Sequence, residues 1–283
     1  MRHRSAGTPT ERTANRRNRI LLGSGTLFLL LCAAHLLGHA VDAEALHRAT
    51  KPLLIPALMA VVVARRGPGL LLVALAGGWA GDVLLMPDHP GAFLGGMAAF
   101  GLGHLGYLTL CRRAVRRGSS PTPARIAGAA CGYTVVGVLV VVLLWPGLPA
   151  ELRIPVAGYA VLLTATACAA ALALGPRGAA GGGLFLLSDA LIAAGIADGP
   201  VIPAQGFIIM STYLAAQWLL ADAVLLSPAG ARGVRPGHGP GRRDGRGRRG
   251  GSSPGDGTPG PGAGPGHGPP SNRYGARRRR PPT

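Results

Sequence analysis

The sequence predicts an all-α fold, a polytopic membrane bundle of about eight transmembrane helices with both termini in the cytoplasm. Of the 283 residues, 48% are apolar and only 14% are charged, whereas roughly 25% are charged in an ordinary soluble domain. The apolar residues fall in runs of membrane-spanning length, and most basic residues lie at the two ends or between the runs. This profile excludes a soluble globular enzyme and a disulfide scaffold.

Charge and composition divide the chain into three parts. Residues 1–19 form a basic N-terminal segment, residues 20–227 contain the apolar runs, and residues 228–283 form a tail rich in Gly, Pro and Arg. The tail has too few aliphatic residues to offset its ordering entropy, so we expect it to be disordered. It either lies near anionic lipid headgroups or is a composition-biased extension without a specific role. Because the basic residues flank membrane runs, the net charge of +18 does not indicate a nucleic-acid partner.

Eight apolar runs account for the predicted helices, each approaching the roughly 20 residues that cross a bilayer core. They cover residues 20–40, 52–64, 69–86, 92–110, 126–144, 154–174, 182–197 and 207–226. The first run is too long for a signal-peptide core and lacks a clear cleavage site, so we expect an uncleaved span. The second run is short and opens with Pro52 and Pro56, which predicts a helix start followed by a kink at Pro56. The seventh run is also short.

The distribution of Lys and Arg sets the predicted orientation. With eight spans, both termini and the connections on their side carry 26 of the 29 basic residues. The opposite connections carry only Arg48, Lys51 and Arg153. Since cytoplasmic loops are enriched in Lys and Arg, both termini are expected in the cytoplasm of a multi-pass protein of the cell membrane.

Ionisable side chains inside the spans are candidate functional residues, because a charge at the bilayer centre costs about 2.5–3.5 kcal/mol on insertion scales. Asp82 follows Gly81 in the third run, and Asp189 follows Ser188 in the seventh. The third and seventh spans run in the same direction, so we expect both carboxyl groups to face a common interior. Lys51, at the non-cytoplasmic mouth of the second span, is placed to meet a lipid phosphate or a buried aspartate.

Other polar residues in the spans form pairs at helical spacing. His104 and Tyr107 share a face of the fourth span, and Tyr213 and Gln217 share a face of the eighth. These residues, with Ser188, are expected to support the two aspartates. Each polar group can instead be structural, bonding one helix to another. Two matched aspartates favour function over that alternative.

Several remaining residues carry weaker signals. His35 and His39 have the spacing of a metal pair, but no third ligand of matching context follows, and we expect no metal site. The four cysteines form no metal-binding motif and are interpreted as small buried residues. Asp222 lies near the cytoplasmic end of the eighth span and is a weaker functional candidate. Trp145 and Tyr159, near span ends, are predicted to be anchors at the membrane interface.

Five blocks occur in the chain in a recognisable succession. They are Lys51-Pro52-Leu53, Gly81-Asp82-Val83-Leu84-Leu85, Phe93-Leu94-Gly95 through Phe100 to His104-Leu105-Gly106-Tyr107, Phe185 through Ser188-Asp189, and Tyr213-Leu214-Ala215-Ala216-Gln217. Together they resemble the landmarks of YhhN-like integral membrane proteins, the lysoplasmalogenase family, over about residues 20–227. Two departures are Ala215-Ala216, where the family more often has a bulkier residue, and the long Arg/Gly/Pro tail.

The resemblance implies hydrolysis of the vinyl ether bond of lysoplasmalogens, which gives a fatty aldehyde and a glycerophospho-alcohol without a metal or organic cofactor. The substrate would be a lysophospholipid within the bilayer. Such hydrolysis needs one protonated acid and one carboxylate, a division that burial and mutual repulsion favour for Asp82 and Asp189. His104 and Tyr107 would orient water or relay a proton, and Lys51 would bind the phosphate.

The alternative function is transport, by a proton-coupled carrier or a lipid transporter. Such proteins also use intramembrane Asp and His, and matched Asp motifs in corresponding spans resemble an internal repeat. The sequence lacks a Gly/Pro break at matching positions of both halves, which weakens this alternative. A purely structural or sensing protein would leave the two aspartates unexplained.

Overall fold

The computed structural model describes residues 9–87, 89–118, 120–199 and 202–230. The chain divides into two units, Met1–Arg235 and Pro236–Thr283, and all described residues belong to the first. The predicted disorder of the tail therefore falls almost entirely outside the described residues. The division of the chain at residues 19 and 227 stays a prediction.

Seven α-helices make up the described part of the chain. They are α1 (Pro9–Ala40), α2 (Glu44–Ala64), α3 (Gly69–Leu84), α4 (Pro90–Arg117), α5 (Pro123–Leu144), α6 (Ala150–Ile196) and α7 (Gln205–Leu226). Six of them are long and apolar enough to cross a membrane, and α3 is a shorter apolar helix of 16 residues. The all-α polytopic bundle is thus confirmed, whereas the number of crossings and the side of the termini stay predictions.

Helix α6 contains two of the predicted runs, separated by a sharp break. Gly175 has φ 70° and ψ −156°, a conformation that is essentially restricted to glycine. Pro176 follows, and a proline disfavours the helical conformation of the residue before it. The halves 150–174 and 176–196 fold back on each other, so that a Cβ on Gly182 would lie 2.7 Å from the Cα of Ala167. The Gly-Pro pair therefore creates a helical hairpin.

Helix α2 begins earlier than the sequence indicated. The run was expected to open at Pro52, but the helix starts at Glu44 and contains Pro52 and Pro56 in its interior. Pro56 has no N–H, so it leaves the carbonyl of Pro52 without its helical partner. The indole Nε1 of Trp79 donates to that carbonyl over 2.9 Å. The proline thereby ties α3 to α2, directly beside Lys51.

Close contact between helix backbones and a cluster of aromatic rings hold the helices together at the centre of the bundle. A Cβ on Gly77 of α3 would lie 2.6 Å from the backbone nitrogen of Gly103 on α4, so the two backbones touch there. Phe100, Phe185 and Tyr213 pack edge to face, with ring centroids 5.5–6.2 Å apart. These rings join α4, α6 and α7. The candidate site lies beside them.

Candidate active site

Asp82 and Asp189 line one cavity of about 390 Å³, called here the polar cavity. Asp82 reaches it from α3 and Asp189 from the second half of α6. Lys51, Ser188 and Tyr213 also line it. This arrangement agrees with the expectation that both carboxyl groups face a common interior.

Asp82 is held at the end of a chain of buried hydrogen bonds. Its Oδ2 accepts a hydrogen bond of 2.6 Å from the hydroxyl of Tyr213. That hydroxyl accepts one of 3.2 Å from Nε2 of Gln217, and Oε1 of Gln217 accepts one of 2.9 Å from the hydroxyl of Tyr107. Only 5% of Asp82 is exposed. The chain from α4 through α7 to α3 therefore fixes the orientation of this carboxyl group.

Asp189 is held by a second, separate network. Its Oδ2 accepts a hydrogen bond of 2.5 Å from the hydroxyl of Tyr159, and the same hydroxyl lies 3.3 Å from Nε2 of His104. The tautomer of His104 decides which of these two groups donates to the other. Nδ1 of His104 is buried and has no hydrogen-bond partner among the described residues. The Tyr159 hydroxyl therefore links the imidazole on α4 to the carboxyl group on the second half of α6.

The role predicted for Tyr159 was wrong. It was expected at the membrane interface, because it lies near the start of the sixth run. The hairpin at Gly175 and Pro176 places the first half of α6 against the second half, which brings Tyr159 to Asp189. The Gly-Pro pair was a visible signal for the turn, but the partner of each residue across the hairpin depends on tertiary packing.

His104 and Tyr107 were expected to act together on water or a proton. They share α4 but join different networks, His104 with Tyr159 and Tyr107 with Gln217. Neither is among the residues that line the polar cavity. Their effect on the aspartates is therefore indirect, through a tyrosine in each case. Ser188 lines the cavity, and its Oγ donates to the carbonyl of Ile209 over 3.1 Å.

Basic side chains line the same cavity as the two aspartates. They are His39, His47, Arg48 and Lys51. The rings of His39 and His47 stack with centroids 4.3 Å apart. Lys51 makes no hydrogen bond or salt bridge to any described residue. His35 also lies close to His39, but the described residues contain no group of three His, Cys, Asp or Glu placed to hold a metal.

Asp222 belongs to a different environment. Its carboxylate accepts from Nη1 of Arg65 over 2.8 Å and lies 3.3 Å from Nε of Arg177. These pairs tie α7 to the end of α2 and to the segment just after Gly175. Asp222 does not line the polar cavity, so its role in the described part of the chain is to hold helices together.

Comparison with known proteins identifies the family. The model of the YhhN family matches residues 46–224. The chain belongs to the YhhN family. The matched segment contains Lys51, both aspartates and every member of the two hydrogen-bond networks. No solved structure matches the chain.

Curated relatives of this YhhN protein carry enzyme names. The chain is 34% identical to lysoplasmalogenase TMEM86B of Homo sapiens over 170 residues, which cover 56% of this chain and 65% of the relative. It is 33% identical to the lysoplasmalogenases of Mycobacterium bovis and Mycobacterium tuberculosis over 168 residues, which cover 57% of this chain and 62% of each relative. The chain thus spans a little under two thirds of the length of these relatives.

Proposed function

We propose that this YhhN-family protein is an intramembrane hydrolase of the cell membrane that cleaves the vinyl ether bond of lysoplasmalogens. The products would be a fatty aldehyde and a glycerophospho-alcohol. The observation that carries the proposal is the shared cavity, in which Asp82 and Asp189 are each held by a tyrosine hydroxyl. The relatives named lysoplasmalogenase support the substrate class.

Two carboxyl groups in one cavity suit this reaction. Hydrolysis of a vinyl ether starts with transfer of a proton to the carbon distal to the oxygen, which leaves an oxocarbenium ion. Water then adds to the carbon next to the oxygen, and the hemiacetal collapses to an aldehyde and an alcohol. One carboxylic acid supplies the proton, while one carboxylate stabilises the cation and activates water. Glycosidases divide the same tasks between two carboxyl groups around an oxocarbenium-like transition state.

The basic side chains of the polar cavity suit the headgroup of the proposed substrate. A lysophospholipid carries one phosphodiester anion, and Lys51 lines the cavity together with Asp82 and Asp189. An ammonium group that binds the phosphate would hold the ether bond at a fixed distance from the acids. Binding energy at a remote group that orients the reacting bond in this way raises the rate by reducing the entropic cost of the reaction.

The test is incubation of membranes containing the protein with a lysoplasmalogen, followed by measurement of free aldehyde. We expect aldehyde release above the level of membranes without the protein. The matched control is the saturated ether lysolipid of the same chain length and headgroup, which has no double bond to protonate and should give no aldehyde. Disappearance of the lysoplasmalogen into the vesicle lumen without aldehyde would contradict the proposal and favour a carrier.

A further inference from the structure

A second cavity lies next to the polar cavity and has a different character. It is bounded by α4, α5 and both halves of α6, and we call it the apolar cavity. Apart from Asp189 and Tyr159, every residue that lines it is apolar, Met97, Val140 and Ala160 among them. An apolar cavity of this kind favours a hydrocarbon ligand, because an apolar group gains free energy when it moves from water to apolar surroundings.

The two cavities are adjacent and share part of their lining. Residues that line both are Leu85, Phe93, Phe100, Asp189, Ile192 and Ile196. Lys51 and the other basic side chains line only the polar cavity. A single amphiphile can lie along their shared border, with its anionic end in the polar cavity and the first carbons of its hydrocarbon chain in the apolar cavity, which has a volume of about 70 Å³.

The border of the apolar cavity also offers a route from the bilayer. Helices α4 and α5 both pack against α6, but they form no extensive interface with each other in the described part of the chain. The face of α5 that points away from α6 carries exposed apolar residues, including Val138, Val142 and Leu143. A chain in the surrounding lipid would reach the apolar cavity between α4 and α5 without crossing a polar surface.

The two aspartates differ in their relation to the cavities. Asp189 lines both of them, whereas Asp82 lines the polar cavity only. In a vinyl ether, the carbon that receives the proton bears the hydrocarbon chain, and the carbon that receives water bears the oxygen toward the headgroup. The proton must therefore arrive on the hydrocarbon side and the water on the headgroup side.

We infer that the apolar cavity binds the 1-alkenyl chain of the substrate, that Asp189 is the proton donor and that Asp82 activates water. The inference rests on the proposed function. The Asp189 proton passes to the distal carbon as the π electron pair forms the new C–H bond. Water bonds to the oxocarbenium carbon and gives one proton to Asp82. The hemiacetal hydroxyl then returns a proton to Asp189 as the C–O bond to glycerol breaks, and Asp82 gives its proton to the departing oxygen. Both acids end as they began.

A substitution that fills the apolar cavity tests whether this cavity binds the alkenyl chain. Ala160→Phe places a ring in the apolar cavity, and Val161→Phe is its matched control because Val161 is 70% exposed on the same helix. For a long-chain lysoplasmalogen we expect kcat/KM of Ala160→Phe to fall about fourfold for each methylene displaced, with little change for a short-chain one. Val140→Phe, on α5, should act in the same direction. Wild-type chain preference in both cavity variants would overturn the inference, whereas a wild-type protein that releases no aldehyde would overturn the proposed function itself.

The assignment of the two acids is tested by running the variants in D2O and recovering unreacted substrate. In Asp82→Asn, protonation still occurs but water attack is slow, so the oxocarbenium ion lives long enough to rotate about its C–C bond. When Asp189 then takes the original proton instead of the added deuteron, the recovered substrate carries deuterium on the distal vinyl carbon. In Asp189→Asn, protonation is lost and no deuterium should appear there. Mass spectrometry of the recovered lysoplasmalogen gives the readout. Absence of exchange in Asp82→Asn, or exchange in Asp189→Asn, would overturn the assignment.

Discussion

Replacement of Tyr213 by Phe tests whether the hydrogen bond to Asp82 matters to the reaction. The substitution removes only a hydroxyl, which donates to Oδ2 of Asp82 over 2.6 Å and accepts from Nε2 of Gln217 over 3.2 Å. A hydrogen bond to a charged group contributes about 1.5–3 kcal/mol. Because each 1.36 kcal/mol is tenfold in rate, aldehyde release by Tyr213→Phe should fall about 10- to 150-fold if the bond acts in the transition state.

The assay is aldehyde release from membranes that contain equal amounts of each variant. Tyr133→Phe is the matched control, because it also removes a tyrosine hydroxyl donor, in this case to the carbonyl of Ala179 over 3.0 Å, and Tyr133 lines neither cavity. We expect that control to keep a rate close to wild type. A rate for Tyr213→Phe within about twofold of wild type, or an equal loss in Tyr133→Phe, would refute the reasoning.

Two other predictions concern the phosphate and the packing of the bundle. Lys51→Gln should lower kcat/KM for the lysoplasmalogen about tenfold, consistent with loss of one charge-assisted hydrogen bond; an unchanged kcat/KM in steady-state kinetics would remove Lys51 from phosphate binding. Gly77→Ala should lower the stability by about 1–3 kcal/mol, the usual cost of overpacking, because its Cβ would press on the backbone of Gly103. Gly132→Ala is the control, since no atom lies within 4 Å of a Cβ built there; equal thermal unfolding midpoints for the two variants in detergent would contradict this account.

The fold class could be predicted because helices that cross a membrane need long runs of apolar residues, which are visible in the sequence. A helix in lipid must satisfy its own backbone polar groups, so each run of sufficient length becomes a helix. The boundaries of the helices were harder to predict from the sequence. Helix α2 starts at Glu44 rather than at Pro52. Inside this helix Pro56 has no N–H to donate to the carbonyl of Pro52, and Trp79 of α3 donates to that carbonyl instead. That compensation comes from a neighbouring helix, which a local pattern does not reveal.

Part of the candidate site could also be predicted from the sequence. Asp82, Asp189 and Lys51 stand out individually, since polar groups at membrane depth are costly. Tyr159 does not stand out, because tyrosine is common near the ends of spans. Its place beside Asp189 follows from the pairing of the two halves of α6 around Gly175. The division of His104 and Tyr107 between two networks likewise depends on which helices lie on each side of α4.

Aldehyde release by Asp82→Asn and Asp189→Asn tests the central claim most directly. The control is Asp222→Asn, which changes an aspartate paired with Arg65 and Arg177 outside the polar cavity. All three variants should reach the membrane in wild-type amounts. We predict that each cavity variant loses about 10²- to 10⁴-fold in rate, the usual contribution of general acid–base catalysis, while Asp222→Asn stays close to wild type. Near wild-type turnover in either cavity variant would contradict the two-carboxyl mechanism.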